Sequence, residues 1–178
     1  LCSGRAPARP RRRPPHGGGG GGPGTRGRDD EIRRAHNAAF TEHHGSAERD
    51  ETTWQTLFTG QRAFRPGLSV LALADGAVVA YTLGYVFVAD TAANGFETVD
   101  LGQIGVLPSA RGRGLAKATI AAVLRTAAEQ GLRIVTLQVD SDNVTGALGL
   151  YEGLGFTRRR TQISWALPLP PLGAAGAQ

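Results

Sequence analysis

The sequence predicts a mixed α/β domain, with two helices first and then a sheet whose later strands alternate with helices. Apolar residues recur at helical spacing in 29–44 and in 115–130, which indicates two amphipathic helices. Apolar runs flank Asp75-Gly76, and such a pair between two strands is a strong hairpin signal. An apolar run at 133–140 then predicts a buried strand between helices. The predicted order is ααβββαβαβ, a mixed central sheet flanked by helices.

The first half of this order begins with helices. Acidic residues open the segment 29–44, as is typical of the first turn of a helix. A second, short helix is expected over 51–58, with Trp54, Leu57 and Phe58 facing inward. The remaining elements of this half are strands at 68–74, 77–89 and 96–106, with a loop at 90–95.

The second half begins with a loop rich in Arg and Gly at 108–114. The helix predicted at 115–130 buries an apolar face that includes Ile120 and Val123, and Gly131 ends it. The elements that follow are a strand at 133–140, a helix at 143–152 and a final strand at 156–167.

The positive charge of the chain is concentrated at its N-terminus. Residues 1–28 hold seven Arg and no acid, so they carry +7, and since the whole chain carries +5, the remainder carries −2. This segment also has a run of six glycines and few apolar residues, which predicts a disordered leader. It is either a linker or non-native leader, or a basic arm for an acidic partner; nucleic-acid binding could rest only on it.

Composition excludes several classes of protein. The chain has 178 residues, a length typical of one domain, which we expect at 29–168, followed by a flexible tail at 169–178. The sequence contains no run of about 18 apolar residues, so it predicts no membrane span. No secretory leader is recognisable either. The one cysteine, Cys2, cannot form an internal disulfide, so a reduced, cytoplasmic location is expected.

The loop before the long helix has the chemistry of a phosphate site. Arg111, Gly112, Arg113 and Gly114 lead directly into a helix whose first N–H groups have no partner within the helix. Glycine permits close approach of the backbone to a ligand, and Arg adds positive charge. Taken alone, this loop is a weak signal, and an ordinary solvated connection is the alternative interpretation. It is neither a Walker loop nor a GxGxxG dinucleotide loop.

Two motifs resemble the GNAT acetyltransferase family. The pattern Arg111-x-x-Gly114-x-Ala116 resembles its acyl-CoA pyrophosphate loop, and DNVTGALGLYEGLGF, at 142–156, resembles its second motif. The resemblance covers about 29–167 and implies the GNAT fold. RRAHNAAFTEHHGSAERDETTW and FRPGLSVLALADG further resemble the second half of tandem GNAT proteins such as mycothiol synthase. Where the family places a first strand, this chain has GGPGTRGRDD, so that strand is expected to be missing.

The resemblance implies an N-acetyltransferase that moves an acetyl group from acetyl-CoA to a primary amine. The alternative is a catalytically silent acyl-CoA-binding or structural half of a tandem protein. The strand before the loop would bind the pantetheine arm through main-chain groups, and Asn143 would bind its amides. The full set of implied cofactor-binding residues is Ile104, Gly105, Val106, Arg111, Gly112, Arg113, Gly114, Leu115, Ala116 and Asn143.

The same resemblance implies two catalytic side chains. Tyr151 would donate a proton to the CoA sulfur, although it lies eight residues after Asn143 where the family more often has seven. Asp100 would be the base, unless water relays the proton. Alternation along a strand predicts Asp100 on the same face as Ile104 and Val106. Structural roles remain open for these residues: a solvated strand end for Asp100, core packing for Tyr151 and a helix N-cap for Asn143.

The sequence gives no sign of a metal. His36 and His43 are seven residues apart with no partner at metal-ligand spacing, so a packing or solvated role is expected. The expected partner is a small-molecule or peptide amine, with no membrane. The sequence is compatible with a homodimer and does not determine the oligomeric state.

Overall fold

A computed structural model of the chain describes residues 25, 27–41, 47–139, 146–161, 163, 165 and 167. These residues belong to two units, one that extends to Gln138 and one that begins at Val139. The central sheet lies in the first unit. Most of the expected leader, all of the expected C-terminal tail at 169–178, and both Asn143 and His43 lie outside the described residues.

The first unit is built on a four-stranded mixed sheet with the order β1-β2-β3-β4. The first three strands are antiparallel, and β3 and β4 are parallel. The β1–β2 connection is the predicted hairpin at Asp75-Gly76, whose φ values of 50° and 80° are those of a tight hairpin turn. The strands span Val70–Ala74 (β1), Ala77–Tyr85 (β2), Thr98–Val106 (β3) and Ile134–Thr136 (β4).

Helices cover both faces of this sheet, as the α/β prediction requires. In the described part of the chain the first element is a helix, and no strand precedes it. A π-helical turn at Gln55–Thr59 continues the second helix, and 3-10 turns lie at Pro66–Leu68 and Pro108–Ala110. The α-helices span Asp29–Phe40 (α1), Glu51–Trp54 (α2), Val88–Asn94 (α3), Leu115–Glu129 (α4) and, in the second unit, Ala147–Glu152 (α5).

Strand β3 contains a bulge at Gly102. Leu83 of β2 is opposite Gln103, but Gly84 is opposite Leu101, so Gly102 is an extra residue on β3. A bulge adds one residue to one strand, and therefore reverses which face each later side chain occupies. The side chains before and after Gly102 therefore alternate between the two faces of the sheet in opposite phase. This reversal determines which face each predicted site residue of β3 occupies.

One face of the sheet packs against α1 and α2 through an aromatic cluster. His36 is buried, and its Nδ1 is hydrogen-bonded to the hydroxyl of Tyr81 at 2.8 Å. Trp54 and Phe58 pack with the His36 ring at centroid distances of 5.0 and 5.4 Å. Trp54 is fully buried as predicted, but Leu57 is 45% exposed, because the π-helical turn rotates it away from the core.

Burial of His36 should make stability depend on pH. Burial, followed by the positive charge of Arg49, lowers the pKa of His36 from 6.5 to about 4. Between these values the unfolded chain binds a proton that the folded chain does not, so stability is full above 6.5 and falls as the pH drops toward 4. This one group should cost about 2 kcal/mol of unfolding free energy between pH 7 and pH 5.

Urea unfolding at the two pH values, on wild type and on His36→Gln, measures this contribution. The variant lacks the titrating ring, so its loss of stability on acidification should be smaller by about 2 kcal/mol. Equal losses in the two proteins would show that His36 does not titrate in this way. The comparison removes the contribution of the carboxylates, since these are the same in both proteins.

The opposite face of the sheet packs against α4. Thr82 and Thr119 are both buried, and the Thr82 hydroxyl donates to Thr119 Oγ1 at 2.9 Å. Thr119 in turn donates to the carbonyl oxygens of Leu115 and Ala116, each at 3.1 Å. Thr82 pairs with Ile104 across β2 and β3, so this chain of hydrogen bonds ties the first turn of α4 to the middle of the sheet.

Two predictions around α3 were wrong. The segment 90–95, expected as a loop, belongs largely to α3, and β2 ends at Tyr85 rather than at Ala89. Gly95 has φ 74° and donates its N–H to the carbonyl of Thr91, so it ends a helix instead of lying in a loop. The alanines that precede Asn94 favour the helix.

The second unit is described from Val139, with a gap at 140–145. Its helix α5 follows Gly146, and the expected start at Asn143 falls in the gap. The predicted final strand at 156–167 was wrong as far as it can be followed: its described residues carry no strand pairing. The apolar residues Ile163, Trp165 and Leu167, which alternate along the chain, are exposed.

The described end of the expected leader belongs to the first unit and is hydrogen-bonded to residues farther along the chain, so the predicted disorder does not extend to Thr25 and Arg28. Thr25 is buried and its hydroxyl donates to the carbonyl of Pro66 at 3.4 Å. Arg28 donates to the carbonyl of Gly76 at 2.9 Å and pairs with Glu31.

In the part of the chain that the structure describes, no helix has the length and apolar character needed to cross a membrane.

Candidate functional site

The loop before α4 keeps its backbone open. Gly112 and Gly114 have φ values of 74° and 75°, a region that favours glycine. Apart from the two chain neighbours, no atom of the described residues lies within 4 Å of where a Cβ would stand at either position, so both glycines face open space. The loop is therefore free for a ligand to approach the main chain closely.

The first turn of α4 offers hydrogen-bond donors. Its first helical bond runs from the N–H of Ala118 to the carbonyl of Gly114, and no side chain caps the helix. The N–H groups of residues 115–117 precede that bond and lie at the positive end of the helix dipole. Arg113 and Lys117 are exposed, and neither has an ion pair within the described ranges. This arrangement suits a phosphate group.

Arg111 also has a role within the fold. Its guanidinium donates to the carbonyl of Ala39 at 2.9 Å, at the C-terminal end of α1. A cation there interacts favourably with the negative end of the helix dipole. The contact fastens the loop to α1, whereas the sequence pattern alone suggested only a contact with the ligand.

Beyond Asp100, one edge of β3 has no strand paired to it among the described residues, and we call it the open edge. The pairing of β3 with β4 stops at Asp100 and Thr136, so in the described residues 101–106 no strand continues that edge. The N–H of Leu107 donates to Val79 of β2, and backbone groups alternate in direction along a strand. The main-chain groups of Ile104 and Val106 therefore face away from β2, toward the open edge.

Gly105 is required by the tyrosine that lies beneath it. A Cβ at this position would clash with the hydroxyl of Tyr81 and would stand 2.5 Å from its Cε1 and Cζ atoms. The Tyr81 ring is held in place by its hydrogen bond to His36. The aromatic cluster thus supports the strand from below, at the residue between Ile104 and Val106.

Asp100 lies on the opposite face of the sheet from Ile104 and Val106, contrary to the sequence prediction. Asp100 pairs with Tyr85 and Ile104 pairs with Thr82, and these two positions of β2 face opposite sides. The reason is the bulge at Gly102, which reverses the alternation between the two halves of β3. Asp100 is therefore on the side that α1 and α2 cover.

The Asp100 carboxyl is half-buried and hydrogen-bonded. The hydroxyl of Thr136 donates to its Oδ1 at 3.0 Å. Burial raises the pKa of Asp100 above its ordinary value and the charge of Asp90 adds to this, while the bond from Thr136 acts in the opposite direction. A carboxylate with a raised pKa is better able to accept a proton near neutral pH.

A pocket of about 150 Å³ lies beside Asp100. Its chemistry combines an acid, a phenol and two amides with apolar walls. Of these residues the sequence prediction named only Asp100 as functional. Gly102 was the available signal for the other lining residues, because a glycine inside a strand often marks a bulge or a close approach of the backbone to another group. The lining residues are Leu57, Phe58, Gln61, Tyr85, Phe87, Asp100, Gly102 and Gln103.

Tyr151, the other predicted catalytic residue, belongs to α5 in the second unit. Its ring packs edge-to-face with Phe156 at a centroid distance of 6.2 Å. Burial raises the pKa of its hydroxyl above 10.0, so the group is protonated at neutral pH and can donate. Among the residues described, no cluster of three or more His, Cys, Asp or Glu side chains could hold a metal ion.

Comparisons with known proteins identify relatives of this chain. A model of the acetyltransferase (GNAT) family matches residues 30–156, more than half of the chain. A mycothiol acetyltransferase of Nocardioides sp. is 34% identical over 139 residues, which cover 74% of this chain and 46% of the relative. One of Rhodococcus erythropolis is also 34% identical, covering 79% and 47%. The chain spans about half the length of the curated relatives it matches.

Solved structures show the same fold. The aminoglycoside N-acetyltransferase AAC(6')-Iy in complex with CoA superposes with a TM-score of 0.57 at 23% sequence identity. The superposition covers 80% of this chain and 90% of the other. At this identity the likeness establishes the architecture, a mixed sheet flanked by helices.

Proposed function

The chain belongs to the GNAT acetyltransferase family, and from this we propose that it transfers an acetyl group from acetyl-CoA to a primary amine. The observation that carries the proposal is the pairing of two features on one strand–loop–helix segment. These are the open edge of β3 at Ile104 and Val106 and the glycine loop before α4.

The residues of this segment fit acetyl-CoA. The uncapped N–H groups of 115–117 and the exposed Arg113 are suited to the pyrophosphate, and Gly112 and Gly114 leave room for it. The main-chain groups of Ile104 and Val106, with Gly105 between them, would hold the pantetheine arm along the edge of β3. We place Asn143 on the pantetheine amides from the motif at 142–156. Bound acetyl-CoA supplies the activated acetyl thioester.

Asp100 is the proposed base. An alkyl amine is mostly protonated at neutral pH, so it must lose a proton before it can attack. Asp100 lines the pocket on the α1–α2 side, and its raised pKa makes it a competent proton acceptor. Its Oδ1 accepts from Thr136, which leaves Oδ2 for the amine or for one relaying water.

The acceptor is proposed to be a small molecule. The pocket beside Asp100 has room for the end of a substrate, and the name of the curated relatives, mycothiol acetyltransferase, favours a small-molecule amine over a peptide. The reaction draws on acetyl-CoA, in keeping with the cytoplasmic location expected from the sequence.

An assay of thiol release tests the proposed function. The protein is mixed with acetyl-CoA and each member of a panel of primary amines, and free CoA is measured with a thiol reagent while mass spectrometry identifies the N-acetyl product. We expect CoA and product in equal amounts with at least one amine. Tight CoA binding with no release on a broad panel would indicate the silent alternative instead.

Replacing Tyr151 by phenylalanine tests the proposed proton donor. The substitution keeps the ring and its packing with Phe156, so the protein should fold and bind CoA as before. If Tyr151 protonates the departing CoA sulfur, kcat should fall by about 100-fold, in the range measured for general acids, while the Kd for CoA stays unchanged. A kcat equal to that of wild type would assign Tyr151 to packing.

A further inference from the structure

Tyr85 carries a buried hydroxyl that the fold does not use. The side chain is 4% exposed, and its hydroxyl has no hydrogen-bond partner among the described residues. Leaving such a group unpaired costs free energy, and most buried polar groups in proteins are paired. Tyr85 also lines the pocket beside Asp100, where a ligand could supply the missing partner.

Tyr81, the other tyrosine of β2, differs from Tyr85 in the surroundings of its hydroxyl. Tyr81 is on the same face of β2, four residues away, and is also buried. Its hydroxyl is paired with His36 at 2.8 Å and does not line the pocket. Two tyrosines on one strand thus have different surroundings: one hydroxyl is paired with His36, and the other has no partner among the described residues and belongs to a side chain that lines a pocket.

The bulge at Gly102 makes room for the Tyr85 ring. A Cβ at residue 102 would stand 2.8 Å from Cε2 of Tyr85 and 3.6 Å from Oδ2 of Asp100. The phenol ring and the free carboxylate oxygen therefore border the same space above this glycine. Tyr85 and Asp100 are also directly opposite each other on β2 and β3, which places their side chains side by side.

The ring is held rigidly. Phe64 packs with it at a centroid distance of 5.7 Å, and Phe87 stacks on it at 6.1 Å with 12° between the planes. Burial, and then the negative charge of Asp100, raises the pKa of Tyr85 well above the ordinary 10.0. The hydroxyl is therefore protonated and able to donate, on a side chain that lies directly opposite Asp100.

We propose that Tyr85 is a specificity-determining residue for the acceptor. Together with Asp100 it selects primary amines that carry an oxygen on the carbon adjacent to the amine-bearing carbon. The Asp100 carboxylate accepts a hydrogen bond from the amine N–H, and the hydroxyl of Tyr85 donates a hydrogen bond to the neighbouring oxygen of the same molecule. Gln103 and Gln61 add polar contacts at the wall, while Phe58 and Phe87 pack against the carbon skeleton. This inference rests on the proposed function, since it assigns the acceptor class to the same site.

A matched pair of probes tests the inference: trans-2-aminocyclohexanol and cyclohexylamine differ only in the hydroxyl. In wild type, kcat/KM should favour the amino alcohol. Tyr85→Phe keeps the ring and its stacking, and should reduce that preference about tenfold, the value of one hydrogen bond, with the rate on cyclohexylamine little changed. An equal fall on both amines, or a preference that survives the substitution, would overturn the proposal.

Binding is measured separately so that the two proposals can fail independently. The Kd of each probe for the CoA-loaded protein is determined by ligand-observed NMR, which needs no turnover. A preference for the amino alcohol that Tyr85→Phe removes would support the subsite even if neither amine is acetylated, in which case only the proposed function fails. Failure of the amino alcohol to bind, or equal binding of both probes, would overturn the subsite.

Tyr81→Phe serves as the matched control. It removes a phenol from the same face of the same strand, but one that is paired with His36. Its urea midpoint should fall, while the ratio of kcat/KM between the two probes stays at the wild-type value. Tyr85→Phe should show the reverse, with an unchanged or higher midpoint, because its hydroxyl has no partner in the part of the chain that the structure describes. A lowered midpoint for Tyr85→Phe with an unchanged ratio would assign Tyr85 a structural role and overturn the proposal.

Discussion

Replacing Gly114 by alanine is expected to weaken acetyl-CoA binding by about 10- to 100-fold. The residue has φ 75° and precedes the uncapped first turn of α4, and no described residue other than its chain neighbours comes within 4 Å of a Cβ position. A Cβ there would fill the space through which a phosphate reaches the N–H groups. Loss of one hydrogen bond to a charged group is worth about 1.5–3 kcal/mol, which gives the stated range. Isothermal titration with CoA measures the effect.

Gly131→Ala is the matched control for this substitution. Gly131 follows the other end of α4, also has a φ of 74°, and likewise has nothing within 4 Å of a Cβ position. Both variants should lose about 1–2 kcal/mol of stability, because alanine is strained at positive φ. Only Gly114→Ala should lose affinity for CoA. Equal affinities for CoA in the two variants would show that the loop is not part of the proposed acetyl-CoA site.

Replacing Asp100 by asparagine is expected to lower kcat by about 10²- to 10⁴-fold, the usual contribution of a general base. Asparagine keeps the size of the side chain and can still accept the hydrogen bond from Thr136, so the fold and the affinity for CoA should be retained. The pH profile should change as well. In wild type, kcat/KM rises as the pH increases through the raised pKa of Asp100, and this limb should be absent from the variant.

Asp90→Asn is a milder change that tests the same assignment. The charge of Asp90 contributes to the raised pKa of Asp100, so its removal should lower that pKa and move the acidic limb of the profile to lower pH. The maximum rate should stay near that of wild type. A limb that is the same in wild type, Asp90→Asn and Asp100→Asn would assign deprotonation to another group or to water.

The loop and the helix that follows it could be predicted because their determinants are local. Glycines that adopt positive φ, a helix that starts directly after them and an apolar face with Ile120 and Val123 can all be read from one stretch of sequence. The same holds for the hairpin at Asp75-Gly76. In each case the backbone conformation depends on neighbouring residues, so period and turn chemistry are sufficient.

The face occupied by Asp100 could not be derived from alternation, because it depends on a pairing between strands. The extra residue at Gly102 exists only with respect to β2, where Leu83 and Gly84 are opposite Gln103 and Leu101. A strict period of two therefore gave the wrong face. Glycine within a strand was a hint of the bulge, but the hint does not say on which side the next residue falls.

The pocket and α3 were missed for different reasons. The pocket combines residues of the π-helical turn with Tyr85 of β2 and Gln103 of β3, and no local pattern joins such distant segments. The segment 88–94 was predicted largely as loop because its Asp, Thr and Asn are common in turns. Gly95 was the signal for a helix end, and its N–H bond to Thr91 shows it in that role.

Hydrogen exchange with and without acetyl-CoA, read by mass spectrometry, tests the central claim most directly, because it needs neither an acceptor nor turnover. Exchange should slow in two stretches, 104–106 at the open edge of β3 and 112–117 at the start of α4, and should be unchanged in α1. Unchanged exchange in both stretches while acetyl-CoA is bound, or slowing confined to other elements, would contradict the proposed donor site.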